Sequence, residues 1–171
     1  NDNEAYMNTG VQKSGATPEG AWTTTTPARA PRVGQKKDIS RIMAAHGIPY
    51  VATLAAGSVP MLRDFRAKVA RAAEVRGFRF LHVLGGCPPG WRYPTAQSTE
   101  VARLAVESHY FPLCACDHGA WTVTFRPKHP RPVREFLETQ GRFGHLSSEE
   151  IDAIQAHVDE RWERLAGLEA D

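Results

Sequence analysis

The residues best suited to chemistry form a short polar segment near the start of the sequence, Asp2–Gly10 (DNEAYMNTG). A Mg²⁺ ion that carries a diphosphate requires six oxygen ligands at roughly 2.1 Å, and neutral amide or carbonyl oxygens suffice once one carboxylate is present. The Asn3 side chain and the Ala5 backbone carbonyl, two positions apart, could face one such ion. Residues 8–10 add donors for phosphate oxygens and a glycine that permits close approach of the backbone. The alternative is an Asn-rich turn that only satisfies its own backbone groups.

Cysteines provide the second set of candidates. Cys87 lies in a Gly/Pro-rich loop, residues 85–94, directly after an apolar segment. A thiolate in such a loop could bind a soft metal, since exposed backbone N–H groups can stabilise the sulfur; the alternative is a buried thiol that acts as a small hydrophobic residue. Cys114 and Cys116, with His118 nearby, match a zinc pattern only weakly because a second ligand pair is lacking, so core packing is favoured for both.

The composition is that of an ordinary globular domain: 171 residues, 42% hydrophobic and 23% charged, with a net charge of +2. This small charge argues against a general nucleic-acid binder, and no apolar run approaches the roughly 20 residues of a membrane span. Three cysteines do not suit a secreted disulfide framework, which favours a reducing cytoplasm. The sequence begins at Asn1 without a methionine and enters the polar segment at once, so we expect a fragment of a longer chain.

The elements that must position these residues alternate between strands and helices after a long loop over residues 1–37. The predicted helices are one capped by Asp38 that ends near His46, one opened by Pro60, one capped by Ser98, one over 132–140, and one that starts with a capping box at Ser147 and Glu150. The predicted strands are 49–54, 78–84, 111–116 and 121–125, the last two forming a hairpin that turns at 117–119. This order predicts an α/β fold with a mostly parallel sheet flanked by helices, followed by a C-terminal helical tail. Ligands of such sheets bind in the loops after the strands, so loops 2–27 and 85–94 are the expected sites.

Several strings together resemble the β subunits of pyruvate synthases, that is, of pyruvate:ferredoxin oxidoreductases. Besides Asp2–Gly10 they are Gln12, SGAT at 14–17, TTTTP at 23–27, HGIPYVAT at 46–53, CPPGW at 87–91 and QGRFGHL at 140–146. The resemblance implies the C-terminal part of a thiamine-diphosphate-binding subunit in the 2-oxoacid:ferredoxin oxidoreductase family. It divides the chain into the C-terminal part of a thiamine-diphosphate-binding domain, residues 1–130, and a helical tail, residues 131–171.

The resemblance also implies roles for single residues. Asn3 through its side chain and Ala5 through its carbonyl match Mg²⁺ ligands, and Cys87 matches the fourth ligand of a 4Fe–4S cluster. The residues expected in the thiamine diphosphate site are Asn3, Ala5, Tyr6, Asn8, Thr9 and Gly10, of which Asn8 contacts the diphosphate. The family's aspartate ligand, in a Gly-Asp-Gly string, and its three other cluster cysteines are not found in this sequence, so both ligand sets are incomplete here.

The implied reaction is the oxidative decarboxylation of pyruvate to acetyl-CoA and CO₂, with electrons passed through the cluster to ferredoxin. The implied partners are other subunits of α, γ and δ type, ferredoxin, pyruvate or a related 2-oxoacid, and coenzyme A, with no nucleic acid and no membrane. No catalytic side chain is assigned, and Glu4 is not nominated, because the family's activating glutamate comes from another subunit. Two alternatives stay open: a branched-chain or aryl 2-oxoacid as substrate, and a noncatalytic α/β interaction module that retains half the cofactor site. We expect the chain by itself to bind the cofactor weakly or not at all.

Overall fold

The computed structural model describes residues 1–26 and 35–169. Its helices are α1 (Ile39–Ala45), α2 (Val59–Glu74), α3 (Pro88–Trp91), α4 (Ser98–Glu107), α5 (Val133–Glu138) and α6 (Ser148–Gly167). Its strands are β1 (Tyr50–Leu54), β2 (Arg79–Val83), β3 (Leu113–Asp117) and β4 (Ala120–Phe125). The α/β class and the order of the predicted elements are confirmed, with one added short helix, α3, inside the predicted 85–94 loop. Pro27 and residues 28–34 of the predicted first loop lie outside the described residues.

The four strands form one mixed sheet in the order β2-β1-β3-β4. Strands β1 and β2 are parallel, whereas β3 is antiparallel to both β1 and β4. The expectation of a mostly parallel sheet is therefore wrong for the described residues. The predicted hairpin is present: His118 and Gly119, with φ of 49° and 92°, form a tight turn that forces β3 and β4 to run in opposite directions. Strand β3 also runs antiparallel to β1, and no local sequence pattern specifies this direction.

Side-chain caps mark the starts of α1 and α6. Asp38 caps α1 by accepting a backbone hydrogen bond from its first turn at 3.1 Å, and the capping box of Ser147 and Glu150 starts α6. The prediction for Ser98 is wrong in detail, because Ser98 is the first residue of α4 and not its cap. Its hydroxyl instead donates to the carbonyl of Thr95 at 2.7 Å, since a short 3-10 turn leads into the helix.

Buried apolar side chains form the main core beneath the helices of the second half of the chain. Val101 and Leu104 of α4 share this core with Phe136 of α5 and Ile154 of α6. The tail therefore packs on the rest of the chain, while the domain boundary at residue 130 stays a prediction. A second cluster lies between β1 and α2. Among the helices of the described residues, none is long and apolar enough to cross a membrane.

Candidate cofactor site

The polar segment near the start of the sequence extends the sheet beside β2. The N–H of Asp2 donates to the carbonyl of Val83 at 2.8 Å, and the N–H of Gly85 donates to the carbonyl of Asp2 at 3.0 Å. These bonds form a parallel bridge between Asp2 and Leu84. The segment therefore continues past the carboxyl end of β2, the edge at which loops of α/β sheets bind ligands.

Asn3 is held by the second predicted loop. Its side-chain Nδ2 donates to the carbonyl of Gly85 at 2.6 Å, and the indole Nε1 of Trp91 donates to the Asn3 carbonyl at 2.8 Å. Within residues 1–26 and 35–169, no donor is bonded to Asn3 Oδ1 or to the carbonyl oxygen of Ala5. Glu4, between them, has φ of 63°, a left-handed conformation that turns the chain sharply. Both predicted Mg²⁺ ligand atoms are thus uncommitted oxygens on either side of a tight bend.

The remaining predicted cofactor residues form the tip of the loop. Tyr6 and Gln12 exchange backbone hydrogen bonds of 2.9 and 3.2 Å, which closes the segment between them into a narrow loop. Gly10 has φ of 91°, a backbone conformation that favours glycine. The exposed tip residues are Asn8, Thr9 and Gly10, and the side chain of Tyr6 is also exposed. The Thr9 hydroxyl donates to the Tyr6 carbonyl and the Gly10 N–H to the Met7 carbonyl, both at 3.2 Å. The exposed side-chain amide of Asn8 could donate to a phosphate group, and the assignment of all these residues to the diphosphate stays a prediction.

Cys87 lies close to the polar loop. It precedes α3 and is partly buried. A Cβ atom at Gly90 would collide with Sδ of Met7 and would lie 3.3 Å from Sγ of Cys87. Glycine at this position therefore lets the two predicted loops pack against each other, and the Cys87 thiol lies near their contact. Its role as a cluster ligand stays a prediction.

The other two cysteines are far more buried. Cys114 and Cys116 in β3 are 5% and 2% exposed, which confirms core packing for both. His118, which could have joined them in a zinc site, is exposed in the hairpin turn and hydrogen-bonds to Asp117. Within the parts of the chain that the structure describes, no group of three or more His, Cys, Asp or Glu side chains is arranged to hold a metal ion.

The two tryptophans of the predicted loops differ in role. Trp91 is fully buried beneath the loop. Trp22 is half-buried, with the guanidinium of Arg92 at 3.6 Å from its ring centre. Its backbone N–H donates to the carbonyl of Arg142 at 2.8 Å, which ties the end of the first loop to the tail.

A buried charge network, which the sequence did not reveal, lies behind the loop. The carboxylate of Glu4 is fully buried and pairs with Lys36 at 2.7 Å and with Arg142 at 2.6 Å. The carboxylate of Asp2 pairs with the same Lys36 at 2.8 Å and contacts His82 Nε2 at 2.8 Å. The three partners Lys36, His82 and Arg142 come from the first loop, from β2 and from the tail, so the network joins three distant parts of the chain.

The charge partners decide the ionisation of both carboxyl groups. Burial alone raises the pKa of Asp2, but the hydrogen bond from His82 and the charge of Lys36 outweigh it and lower the pKa below its ordinary value. Burial likewise raises the pKa of Glu4, and the charges of Lys36 and Arg142 lower it below the ordinary value. Both groups are therefore carboxylates at neutral pH, and their oxygens are occupied by cations of the protein.

Ser40, His82 and Asp2 form a hydrogen-bonded series that superficially matches a hydrolytic triad. Ser40 Oγ lies 3.1 Å from His82 Nδ1, and His82 Nε2 lies 2.8 Å from Asp2 Oδ2. All three residues are buried, and the same Asp2 oxygen also accepts from Lys36. The series therefore ties the first loop to β2 and α1, and we assign it no catalytic role.

Two comparisons with known proteins bear on this site. The model of the thiamine pyrophosphate enzyme C-terminal TPP-binding domain matches residues 1–83. This range contains the polar loop, β1 and β2. The match supports thiamine diphosphate as the ligand of this part of the chain.

Similar proteins cover almost the whole chain. Pyruvate synthase subunit PorB of Methanocaldococcus jannaschii is 48% identical over 170 residues, which are 98% of this chain and 56% of that protein. Ketoisovalerate oxidoreductase subunit VorB of Pyrococcus horikoshii is 45% identical over 172 residues, which are 98% of this chain and 54% of that protein. PorB of Thermotoga maritima is 46% identical over 176 residues, with coverage of 98% and 53%. The chain thus spans little more than half the length of these relatives.

Proposed function

We propose that this chain, which matches β subunits of 2-oxoacid:ferredoxin oxidoreductases over 98% of its length, supplies part of the Mg²⁺–thiamine diphosphate site of such an enzyme. The proposal rests on Asn3 and Ala5, whose free oxygens flank a bend at the carboxyl end of β2, within the TPP-binding match. The proposed reaction is the oxidative decarboxylation of pyruvate to acetyl-CoA and CO₂.

The residues present fit a metal-bound diphosphate. Gly85 orients the amide of Asn3, so that Oδ1 remains available to an ion. The carbonyl of Ala5 offers a second neutral oxygen, while the exposed side-chain amide of Asn8 offers a donor to phosphate oxygens. Asp2 and Glu4 are paired with protein cations, so the carboxylate ligand comes from outside this loop. Bound thiamine diphosphate supplies the electron sink for decarboxylation, and the loop holds and orients it.

The electron-transfer part of the proposal rests on Cys87. Cys87 is only partly buried, and its thiol lies next to the contact between the two loops. We assign it as one ligand of a 4Fe–4S cluster that passes electrons to ferredoxin, while coenzyme A takes the acyl group. The remaining ligands come from outside the described residues. The other partners are α-, γ- and δ-type subunits, and the three free thiols suit a reducing cytoplasm.

A branched-chain 2-oxoacid is the second candidate substrate. The names of the similar proteins give either pyruvate or ketoisovalerate, at nearly equal identity to this chain. Rates measured with pyruvate, ketoisovalerate and an aryl 2-oxoacid in the assembled enzyme would choose among these substrates. The highest kcat/KM identifies the substrate, and pyruvate is the expected result.

The loop assignment is tested by Asn3→Ala in the assembled enzyme. Loss of one metal ligand should weaken Mg²⁺-dependent binding of thiamine diphosphate at least about tenfold, which calorimetry can measure. Gln155→Ala is the matched control, because it truncates an amide that bonds only within the tail. Equal affinities for the two variants would remove Asn3 from the site. Wild-type enzyme that binds no cofactor would favour the noncatalytic module instead.

The cluster assignment is tested by Cys87→Ser in the same enzyme. Loss of a thiolate ligand should remove or alter one iron–sulfur signal in paramagnetic resonance. Cys116→Ser is the control, since Cys116 is buried in β3. An unchanged spectrum for Cys87→Ser would contradict the assignment.

A further inference from the structure

The side chains next to the proposed Mg²⁺ ligands point into the protein. Asp2 and Glu4 alternate with Asn3 and Ala5 along the loop, and both carboxylates are buried. The Glu4 N–H donates to Asp2 Oδ1 at 2.8 Å, so one of these carboxylates also shapes the backbone at the bend. One face of the loop therefore carries Asn3 Oδ1 and the Ala5 carbonyl, the proposed ligand atoms. The other face carries the carboxylates of Asp2 and Glu4, which are paired with cations of the protein.

Glu4 takes part in a closed circuit of contacts around the Asn3–Glu4 peptide. The carboxylate of Glu4 pairs with Arg142, and the Arg142 guanidinium lies 3.9 Å from the ring centre of Trp91. The indole of Trp91 in turn donates to the carbonyl of Asn3. Arg142 is fixed further, because its Nε donates to Gln140 Oε1 at 2.9 Å. The stacked pair of Arg142 and Trp91 thus holds the Asn3–Glu4 peptide at two points. Trp91 bonds to the Asn3 carbonyl, and Arg142 pairs with the Glu4 carboxylate.

The circuit acts on the residue with the least favourable backbone in the loop. Glu4 is not glycine, yet its φ of 63° lies in the left-handed region that L-residues adopt reluctantly. Lys36 at 2.7 Å and the hydroxyl of Tyr110 at 3.3 Å complete the contacts of its carboxylate. Without these contacts, residue 4 is free to relax, and the carbonyl of Ala5 would move with it.

We propose that Glu4 and Arg142 are positioning residues for the cofactor: their buried pair holds the bend that aligns Asn3 Oδ1 with the Ala5 carbonyl. Segment 140–143 of the tail is therefore a functional part of the cofactor site, although it provides no ligand. The inference rests on the proposed function, and it adds a requirement that neither the sequence motif nor the ligand set contains.

The test is the Mg²⁺ dependence of thiamine diphosphate binding in the assembled enzyme that carries Glu4→Gln. Outer partners of metal ligands typically contribute about tenfold to a hundredfold in affinity, and a loss in this range is expected. The matched control is Asp64→Asn, which neutralises the acid of another buried pair, Lys68–Asp64 at 2.7 Å. In both variants the cation keeps a neutral acceptor, Gln140 Oε1 for Arg142 and the Thr53 carbonyl for Lys68. A purely structural role would lower the melting temperature of both variants and leave cofactor affinity equal.

A second, milder variant covers the case in which Glu4→Gln does not assemble. Arg142→Lys keeps the positive charge but loses the flat stacking on Trp91 and the fork of donors. It should bind cofactor more weakly than Asp64→Asn, and hydrogen exchange in the cofactor-free enzyme should speed up at residues 3–10.

The outcomes separate the two levels of the proposal. An affinity equal to that of Asp64→Asn, in whichever of the two variants assembles, overturns the positioning role. If Asn3→Ala weakens binding while the positioning variants do not, this inference alone fails. If Asn3→Ala also has no effect, the proposed function fails with it.

Discussion

The polar loop over residues 2–10 and the central strand β1 are neighbours that are stabilised by different kinds of contact. Every residue of β1 is buried, and the strand is paired on both sides by backbone ladders and packed by apolar side chains. In the loop over residues 2–10, Met7 packs against the main core, but the engaged face of the bend consists of carboxylates matched to cations. Apolar packing tolerates small shifts, whereas buried charges require their partners at defined distances. The difference shows that the oxygens of the loop are positioned chiefly by electrostatic contacts.

The largest effect is expected from Arg142→Met, which removes a cation from the charged face of the loop. The buried carboxylate of Glu4 would keep only Lys36 as a charged partner, and breaking such a pair costs about 3–5 kcal/mol of unfolding free energy. Urea denaturation measures the change. Arg164→Met is the control, because Arg164 is exposed and its ion pair is long, at 3.9 Å. Similar midpoints for the two variants would contradict the view that charges hold the loop.

Leu54→Ala should act on the sheet and not on the loop. Leu54 is fully buried, and its truncation should cost about 2–5 kcal/mol of unfolding free energy. The folded fraction should still bind thiamine diphosphate with wild-type affinity in the assembled enzyme, since Leu54 packs in the second hydrophobic cluster, between β1 and α2. A parallel fall in stability and cofactor affinity would show that the two regions are coupled more tightly than their contacts suggest.

Acid should weaken the loop before it weakens the sheet. The folded-state pKa values of Asp2 and Glu4 lie below their ordinary values. Their contribution to stability is therefore fully present above the unfolded-state values of about 4, and it is lost as the pH falls through the folded-state values. Denaturation curves between pH 7 and pH 3 should show the gap between wild type and Glu4→Gln narrowing below about pH 4. A gap that stays constant would mean that folding does not lower the pKa of Glu4.

The smallest perturbation is thiol labelling, which compares the same regions without a mutation. Burial raises the pKa of the Cys114 thiol to about 11, so it should resist alkylation at pH 8 until the sheet unfolds. Cys87, partly exposed beside the loop, should react first once any bound iron has been removed. Mass spectrometry of the labelled peptides gives the order. Labelling of Cys87 at the same rate before and after iron removal would contradict its role as a cluster ligand.

Local signals in the sequence were enough to predict all the α-helices of the described residues except α3, as well as the hairpin and the polar loop. Asp38 and Ser147 cap their helices as predicted, because a cap involves only neighbouring residues. The direction of β3 relative to β1 was missed, since it depends on how distant strands meet. Ser98 was misplaced by one residue because the 3-10 turn before it was not recognised.

The sequence yielded predictions for the ligands of the candidate site, which stay predictions, but it did not reveal the contacts that support them. Asn3, Ala5 and Cys87 stand in motifs that resemble a known family, so their residue types and spacing were visible. Glu4 stands in the same motif, but its partner Arg142 is 138 residues away, and nothing near either residue indicates the pairing. The alternation of two acids with two ligand residues was the available signal, and only the structure shows that the acids are buried.

The bond between Glu4 and Arg142 also imposes an order on biosynthesis. The ribosome makes Glu4 long before Arg142, since 138 positions separate them. During that interval the Glu4 carboxylate cannot pair with Arg142, and the stacking of Arg142 on Trp91 is also missing. The loop can reach its final shape only after Arg142 has emerged, so under the proposed function cofactor loading would follow the synthesis of segment 140–143. A chain that stalls before α5 would present the recognisable motif without a site that can hold its ligand.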